Sequence, residues 1–493
     1  MKNILIRSGI SPLDTFDASY MIKHNSIGGN VGNLIYAYSI YRNLMKEETN
    51  IVPDYYNSNP NRADEINEKY DAYVIPLADA FREDFIPTLR NYTKLIKQLN
   101  IPVIVIGVGL RAPFEPKLAE GFPFDDDVKA FVSAILEKSN MIGLRGEITS
   151  QYLTRLGFRE GVDHTVIGCP SMYTFGRELK IRDTNLTNDS IVCVNSSMLS
   201  PKNVLDFISR SMVKFSNYYF IPQWLKEMKL VYSGLPLVSN EFVNYPISNS
   251  HPAYSNNRVR FFLNAPTWID FVRQADLSFG SRLHGNITAV IAGTPSIIIP
   301  KDARMRELAE YHNLTRVWWN NITEETNIED LIESADFHAP EKVQAKNFDH
   351  FIDFLNKNNI PHIYEENLNP NPAPLDKKIT ETPLKMPLQP IAGCKKEDII
   401  ERWNVTSSMY EEENKQLKKQ LRKVNEEKHK TEKKIRKEEE AKRIIIEKKF
   451  INKEKRLRNT LIKKETKIKQ LENELNRTPV KLTLKAVNKL KRK

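Results

Sequence analysis

Arg282 and His284 stand one residue apart where an apolar run gives way to a helix-forming segment. Leu277 to Phe279 reads as a short buried strand and Asn286 to Ala292 as a helix. Gly293-Thr-Pro295 reads as a turn, and Ser296 to Ile299 as a second buried strand. In extended backbone, residues two apart point the same way. Arg282 and His284 are therefore expected on one side, with Leu283 anchored in the core, and Gly285 permits the tight turn that follows. Open α/β sheets bind ligands at the carboxyl ends of their strands, and a helix N-terminus attracts anions. A guanidinium, an imidazole and a helix start at one point predict a phosphate or carboxylate ligand. The plainer alternative is that Arg282 pairs with a structural carboxylate while His284 caps the helix.

Other candidates occupy equivalent places. Gly28, Gly29, Asn30, Gly32 and Asn33 precede a helix-like run, Leu34–Met45, and glycines there let backbone N–H groups approach a ligand. Gly107 and Gly109 close the apolar run Val103–Ile106 in the same way. Arg145 ends the run Met141–Leu144 and is expected to reach a cleft as a second cation, or else to pair with Glu147 on the surface. Lys301 and Arg304 lie just past the second strand and add phosphate contacts. No His-Glu-x-x-His, paired-cysteine or clustered-acid pattern is present, so chemistry without a metal or cofactor is expected.

The elements that must position these residues alternate. Residues 1–178 interleave strand-like runs (Asn3–Ile6, Ala72–Ile75, Val103–Ile106, Met141–Leu144, Val166–Ile167) with helix-like ones. Residues 186–365 repeat the pattern with Ile191–Val194, Tyr218–Ile221, Leu277–Phe279 and Ser296–Ile299 as strands. Such interleaving means parallel sheets with helices on both faces. The expected fold is α/β, two Rossmann-like doubly wound domains in a GT-B-like arrangement with a cleft between them.

The rest of the chain differs in kind. Residues 366–395 hold six prolines (Pro370, Pro372, Pro374, Pro383, Pro387, Pro390) and read as a stiffened linker. Residues 409–476 are rich in Glu, Lys and Arg. Sparse apolar positions (Leu417, Leu421, Val424, Ile435, Ile445, then Phe450, Leu457, Leu461, Ile468, Leu471, Leu475) suggest a charged helix forming a weak coiled coil and hence a homodimer. A solitary charge-stapled helix is the alternative. Residues 477–493 form a basic tail in which lysines alternate with aliphatic residues, suited to an anionic membrane face. From Glu411 onward there are 30 Lys+Arg against 14 Asp+Glu, so the tail carries +16 of a whole-chain +11. The remainder is mildly acidic, and no nucleic-acid partner is expected. No apolar run approaches the ~20 residues of a membrane span. Three cysteines without metal or disulfide spacing suit a reducing cytoplasm, with peripheral attachment at the inner face of the cell membrane.

The segment Ser281-Arg-Leu-His-Gly285 through Gly293-Thr-Pro295 resembles the polysaccharide pyruvyl transferase family, and other parts match in order. These are Gly28-Gly-Asn-Val-Gly-Asn33, Ile101-Pro-Val-Ile-Val-Ile-Gly-Val-Gly109, Ser139 to Ser150 with Leu153 and Gly157, and Val166-Ile-Gly-Cys-Pro-Ser171. The resemblance extends to roughly Lys357. The chain departs from the family pattern at Asn33, where an acid is usual, at Cys169, where an Asp is usual, and at Leu77-Ala-Asp79, where a Gly-Gly pair is common. The resemblance implies transfer of a pyruvyl group from phosphoenolpyruvate to two hydroxyls of one sugar as a cyclic ketal, in bacterial cell-surface polysaccharide synthesis. The acceptor would be a sugar or a lipid-linked oligosaccharide. Arg282 would grip carboxylate or phosphate; His284 would donate to phosphate or protonate the enol carbon. Neighbouring arginines push its pKa down and a bound trianion pushes it up, which leaves the direction open. Two other readings stand beside this one: a nucleotide-sugar glycosyltransferase of the same architecture, and a non-catalytic scaffold of a polysaccharide assembly complex.

Overall fold

The structure is a computed structural model describing residues 2–187, 189–238, 244–476 and 478–491. Among the described residues ten strands, all paired in parallel, form its sheets. In the first half, β1 (Lys2–Ile6), β2 (Thr49–Pro53), β3 (Ala72–Pro76) and β4 (Val103–Ile106) are ordered β2-β1-β3-β4. A two-stranded piece, β5 (Ile142–Leu144) with β6 (His164–Val166), continues beside β4 through a bridge between Val108 and Leu144. In the second half, β7 (Ile191–Asn195), β8 (Asn217–Phe220), β9 (Leu277–Gly280) and β10 (Ser296–Ile298) are ordered β10-β9-β7-β8. Each half thus places its first strand between its second and third. The fold is α/β and GT-B-like.

Helices cover both faces of the sheets, so the strands carry apolar runs rather than alternation. All four residues of β4 and of β9 are buried. The first-half core joins β3 and β4 (Tyr73, Ile75, Val103, Val105) to the helix Ile86–Ile96 through Leu89, Tyr92 and Leu95, and to Asp125–Leu136 through Val128, Phe131 and Val132. β2 was not foreseen. Its run Thr-Asn-Ile-Val-Pro is short and half polar, and it is a strand because β1 pairs with it along all five residues.

The proline-rich segment is not a free linker. Ala373 and Leu375 are wholly buried, and the short helix Pro374–Glu381 lies against Gly32–Leu44. There Asp376 accepts from Arg42 Nε and Nη2 at 2.9 and 2.8 Å. Leu388 exchanges backbone hydrogen bonds with Phe261 in the second half, and Ile391 is buried. Proline keeps a chain extended without demanding backbone partners, and here the leucines and isoleucine between the prolines anchor it. The C-terminal helix begins at Lys396 rather than near residue 409, and Trp403 Nε1 donates to Ser233 O at 3.1 Å. The compact body therefore runs to Ser407, and Ser408–Lys493 forms a second unit. That unit contains the rest of the helix Lys396–Asn476 and a second helix, Thr478–Leu490. Arg477, Arg492 and Lys493 of the basic tail lie outside the described residues. No described helix is long and apolar enough to cross a membrane.

Candidate active site

The strand orders dictate where the site lies. In an open parallel sheet a crevice forms where neighbouring connections leave in opposite directions, at the carboxyl ends of the strands. In the first half that point is between β1 and β3, and the residues just beyond them are Arg7 and Leu77-Ala78-Asp79. In the second half it is between β7 and β9, followed by Ser197 and by Ser281-Arg282. All seven line one cavity of about 870 Å³. Gly28, Gly29, Asn30, Asn33, Arg82, Arg111, Trp224, His284, Lys301, Asp302 and Arg304 also line it. Six cations (Arg7, Arg82, Arg111, Arg282, Lys301, Arg304) face four acids (Asp79, Glu83, Asp84, Asp302), so the cavity has an excess of positive charge.

Arg282 is the N-cap of the helix Leu283–Ile291, and that helix begins earlier than the sequence suggested. His284 is therefore its second residue, not part of an extended segment, although both side chains still reach the cavity. Arg282 is held from three sides. Its Nε donates to Ser196 O at 2.7 Å, its Nη2 donates to Glu227 at 3.3 Å, and its guanidinium lies 4.0 Å above the Trp224 ring. Glu227 is fully buried and also accepts from the backbone N–H groups of Gln223 and Trp224 at 2.7 Å each, and from the Tyr245 hydroxyl. The structural carboxylate and the cavity role coexist. Glu227 and Trp224 fix the fork while Nη1 has no partner among the described residues. Sequence reasoning missed both; the only available cue was an acid three residues past a strand-to-helix junction.

His284 sits under the glycine turn. A Cβ on Gly32 would stand 2.7 Å from its Nδ1, so only glycine fits there. Its Nε2 is buried without a protein partner. Burial, then the fields of Arg145 and Arg304, push its pKa down to about 3, so the imidazole is neutral at physiological pH. Gly28 and Gly29 adopt the left-handed backbone (φ 56° and 82°) that the turn requires. Asn33 Nδ2 staples the turn by donating to Ile27 O at 2.9 Å, and Gly32 N donates to Asn30 Oδ1 at 2.8 Å. Val31 N donates to Gln223 O at 2.8 Å and Leu225 N to Gly29 O at 3.0 Å, tying the turn to the opposite half.

Three expectations need correction. Gly32, Gly107 and Gly109 do not line the cavity. Gly107 (φ 70°) makes room for the Tyr36 hydroxyl, and a Cβ on Gly109 would press on Arg145 Cδ at 3.0 Å. Arg145 forms no surface pair with Glu147. It is fully buried; its Nε donates to Gly107 O at 2.8 Å, and both terminal nitrogens lack protein partners. Nor is it among the cavity-lining residues. It stacks on Tyr36 at 5.1 Å, whose ring lies 6.2 Å from that of His284, and so it acts on the cavity from behind. At the Cys169 position no carboxylate stands ready for it; Cys169 N instead donates to His312 Nε2 at 2.8 Å.

Lys301 is half-buried at the cavity wall, and its Nζ donates to Ser200 Oγ at 2.8 Å. Burial, then Arg282, bring its pKa down to about 7. Asp79 accepts from Arg82 at 3.0 Å and Arg304 at 3.1 Å. Burial alone would raise its pKa, but Arg304, Arg82 and Arg145 outweigh it and hold Asp79 below the usual carboxylate range.

The sequence profile described as polysaccharide pyruvyl transferase matches residues 30–302. The chain belongs to the polysaccharide pyruvyl transferase family. The match runs from the glycine turn through Arg282 and His284 to the start of the Lys301 segment. No curated protein matches the chain. Solved structures similar to it include the UDP-GlcNAc 2-epimerase of Methanocaldococcus jannaschii in complex with UDP-GlcNAc and UDP, at 14% identity and TM-score 0.40, covering 72% of this chain and 99% of that one. The Neisseria meningitidis UDP-GlcNAc 2-epimerase bound to UDP-GlcNAc is 13% identical, with TM-score 0.38 and coverage of 73% and 100%. The Rickettsia bellii UDP-N-acetylglucosamine 2-epimerase is 12% identical, with TM-score 0.37 and coverage of 72% and 98%.

Proposed function

We propose that this transferase moves a pyruvyl group from phosphoenolpyruvate onto two hydroxyls of one sugar. The observation that carries the reading is the cluster of Arg282, Lys301 and Arg304 at the crevice, with neutral His284 beside them and Arg145 behind. Phosphoenolpyruvate concentrates up to three negative charges on a small frame, and a confined set of cations and N–H donors suits it. In the reaction, the enol carbon gains a proton and becomes a methyl group. One sugar hydroxyl bonds to the central carbon, the carbon–oxygen bond to phosphate breaks, and the second hydroxyl closes the ketal. Of the two hydroxyl protons, one balances the methyl group and the other leaves with phosphate. Arg282 grips the donor's carboxylate or phosphate. His284 donates from Nε2 and, once the bound trianion raises its pKa, supplies the proton. Lys301 accepts a hydroxyl proton as a neutral amine. The rim of Phe85, Phe122 and Phe124 offers apolar faces for the sugar. The acceptor is a cell-surface polysaccharide precursor, free or lipid-linked. A nucleotide-sugar donor is less well served, because Asp302, the nearest acid past Pro295, already caps Met305 N at 2.8 Å and pairs with Arg304.

The test is calorimetric titration with phosphoenolpyruvate, coupled to assay of phosphate release with candidate acceptors. Arg282→Ala should weaken donor binding at least tenfold, since a charge-assisted contact in an enclosed site is worth about 2–3 kcal/mol. His284→Asn should leave much of that binding but lower turnover ~100-fold or more. Unchanged donor affinity in a folded Arg282→Ala protein would remove the site from consideration. Turnover of a nucleotide sugar would move the assignment to glycosyl transfer.

A further inference from the structure

The long helix Lys396–Asn476 has no buried residue, and from Ser408 onward it belongs to the second unit. Its apolar seam positions are all about half-exposed or more, from Ile435 and Leu471 at 49% to Phe450 at 70%. Read at alternating steps of four and three, the first seam runs Leu417, Leu421, Val424, Lys428, Thr431, Ile435, Glu438, Lys442, Ile445. The phase then slips by one residue. The second seam runs Phe450, Glu454, Leu457, Leu461, Lys464, Ile468, Leu471, Leu475.

These two seams are mirror images about Ile446. At equal distances either side of it stand Leu417 and Leu475, Leu421 and Leu471, Val424 and Ile468, and Ile435 and Leu457. Of the polar seam positions, Lys428 mirrors Lys464 and Glu438 mirrors Glu454, each pair setting like charges opposite one another, whereas Thr431 mirrors Leu461 and Lys442 mirrors Phe450. From this we infer that the helix pairs with a second copy of itself in antiparallel orientation, with the two-fold axis passing near Ile446. The phase slip then falls on the axis, where each helix exchanges one seam for the other.

Flanking charges agree. In an antiparallel pair, equivalent edges face each other. Lys418 meets Glu472 of the second copy, Glu432 meets Arg458, and Glu427 meets Lys467; none of the flanking contacts joins like charges. A parallel pair would set Glu427 against Glu432 and Lys453 against Arg458. The polar layers fix the register at some cost in stability. A one-heptad shift would drive Lys428 onto Leu471 and Lys464 onto Ile435. In the matched register the long lysine side chains leave the seam toward water.

Full-length protein carrying Cys394→Ser supplies the test, since Cys169 and Cys193 are buried. Sedimentation equilibrium should show a dimer. Leu421→Cys protein oxidised alone should not crosslink, whereas mixed with Leu471→Cys protein it should give a crosslinked pair. Lys418→Glu should weaken the dimer roughly fivefold or more, and adding Glu472→Lys should restore it. In a parallel pair Lys418 would face Glu413 and Glu472 would face Lys467, so the double exchange would weaken it further. A monomer at all concentrations, self-crosslinking of the Leu421→Cys protein, or failure of the double exchange to rescue would each overturn the proposal.

Discussion

Lys301 and His284 show how enclosure sets chemistry at the residue scale. Both are cationic acids placed among arginines, and both have their charged forms disfavoured for the same two reasons, burial first and neighbouring guanidinium groups second. The outcomes differ because the starting values differ. His284 falls far below physiological pH, while Lys301 lands near 7, where it can take a proton and release it. As a base, Lys301 works in the neutral form, which fills as pH rises through its folded pKa. We therefore expect kcat/KM to climb about tenfold per pH unit below pH ~7 and then level, and Lys301→Met should remove that limb. If Lys301 instead only attracts the donor as a cation, kcat/KM should fall above pH 7, and a profile indifferent to Lys301→Met would end both roles. Stability offers an independent check. The folded pKa lies below the free value of 10.5, so charging Lys301 costs stability in full below pH 7, and the cost fades toward pH 10.5. Lys301→Met should therefore raise the melting temperature more at pH 7 than at pH 10.

At the scale of elements, the proline-rich segment works as a strap. Residues 374–381 pack on the first half and Leu388 joins the second, so one extended stretch crosses from one half of the body to the other. A chain ending at Glu365 leaves bare the surfaces beneath Leu375, Leu388 and Ile391 and strips Arg42 of its carboxylate. At ~1.5–3 kcal/mol for each large apolar side chain uncovered, the loss should be on the order of 5 kcal/mol. Thermal unfolding should show residues 1–365 far less stable than 1–407, while 1–407 should match the full chain. Equal stability of the two truncations would reduce the strap to a passive covering. The same segment marks the limit of what the sequence disclosed. The run at β4 and the strand–helix–strand run around Arg282 were legible because continuous apolar stretches bounded by glycine and proline leave little choice. The strap was hidden because proline density is shared by free linkers and by extended chains laid on a surface; only the sparse leucines tell them apart. Glu227 and Trp224 were hidden for another reason. They meet Arg282 through the pairing of β7 with β9 and β8, more than fifty residues distant in sequence, and nothing local marks them. Arg145 and Gly109 were picked out by residue type but placed one layer too far forward, since type does not tell a wall from what stands behind it.

On the scale of the whole molecule, charge is sorted along the chain. The body is mildly acidic outside its cavity, and the second unit carries the excess of lysine and arginine. The helix Thr478–Leu490 concentrates this. Lys481, Lys485 and Lys489 recur at four-residue steps and form one side, while Val487 and Leu490 lie across the helix from them. A helix of this kind is suited to a lipid interface, where its apolar side would enter the acyl chains and each lysine would gain ~1 kcal/mol from an anionic surface. A transferase whose acceptor is lipid-linked gains from such attachment, because its substrate is confined to that surface. We expect full-length protein to sediment with phosphatidylglycerol vesicles at low salt and far less with phosphatidylcholine vesicles. Binding should fade toward 1 M salt, where screening shortens to ~3 Å. Ending the chain at Asn476 should abolish it while leaving phosphoenolpyruvate binding unchanged, since the cavity lies wholly within residues before Ser408. If the full-length protein ignores anionic vesicles at low salt, the membrane role is lost. If the truncated protein still binds them as strongly, the attraction belongs to the charge of the long helix rather than to the amphipathic end.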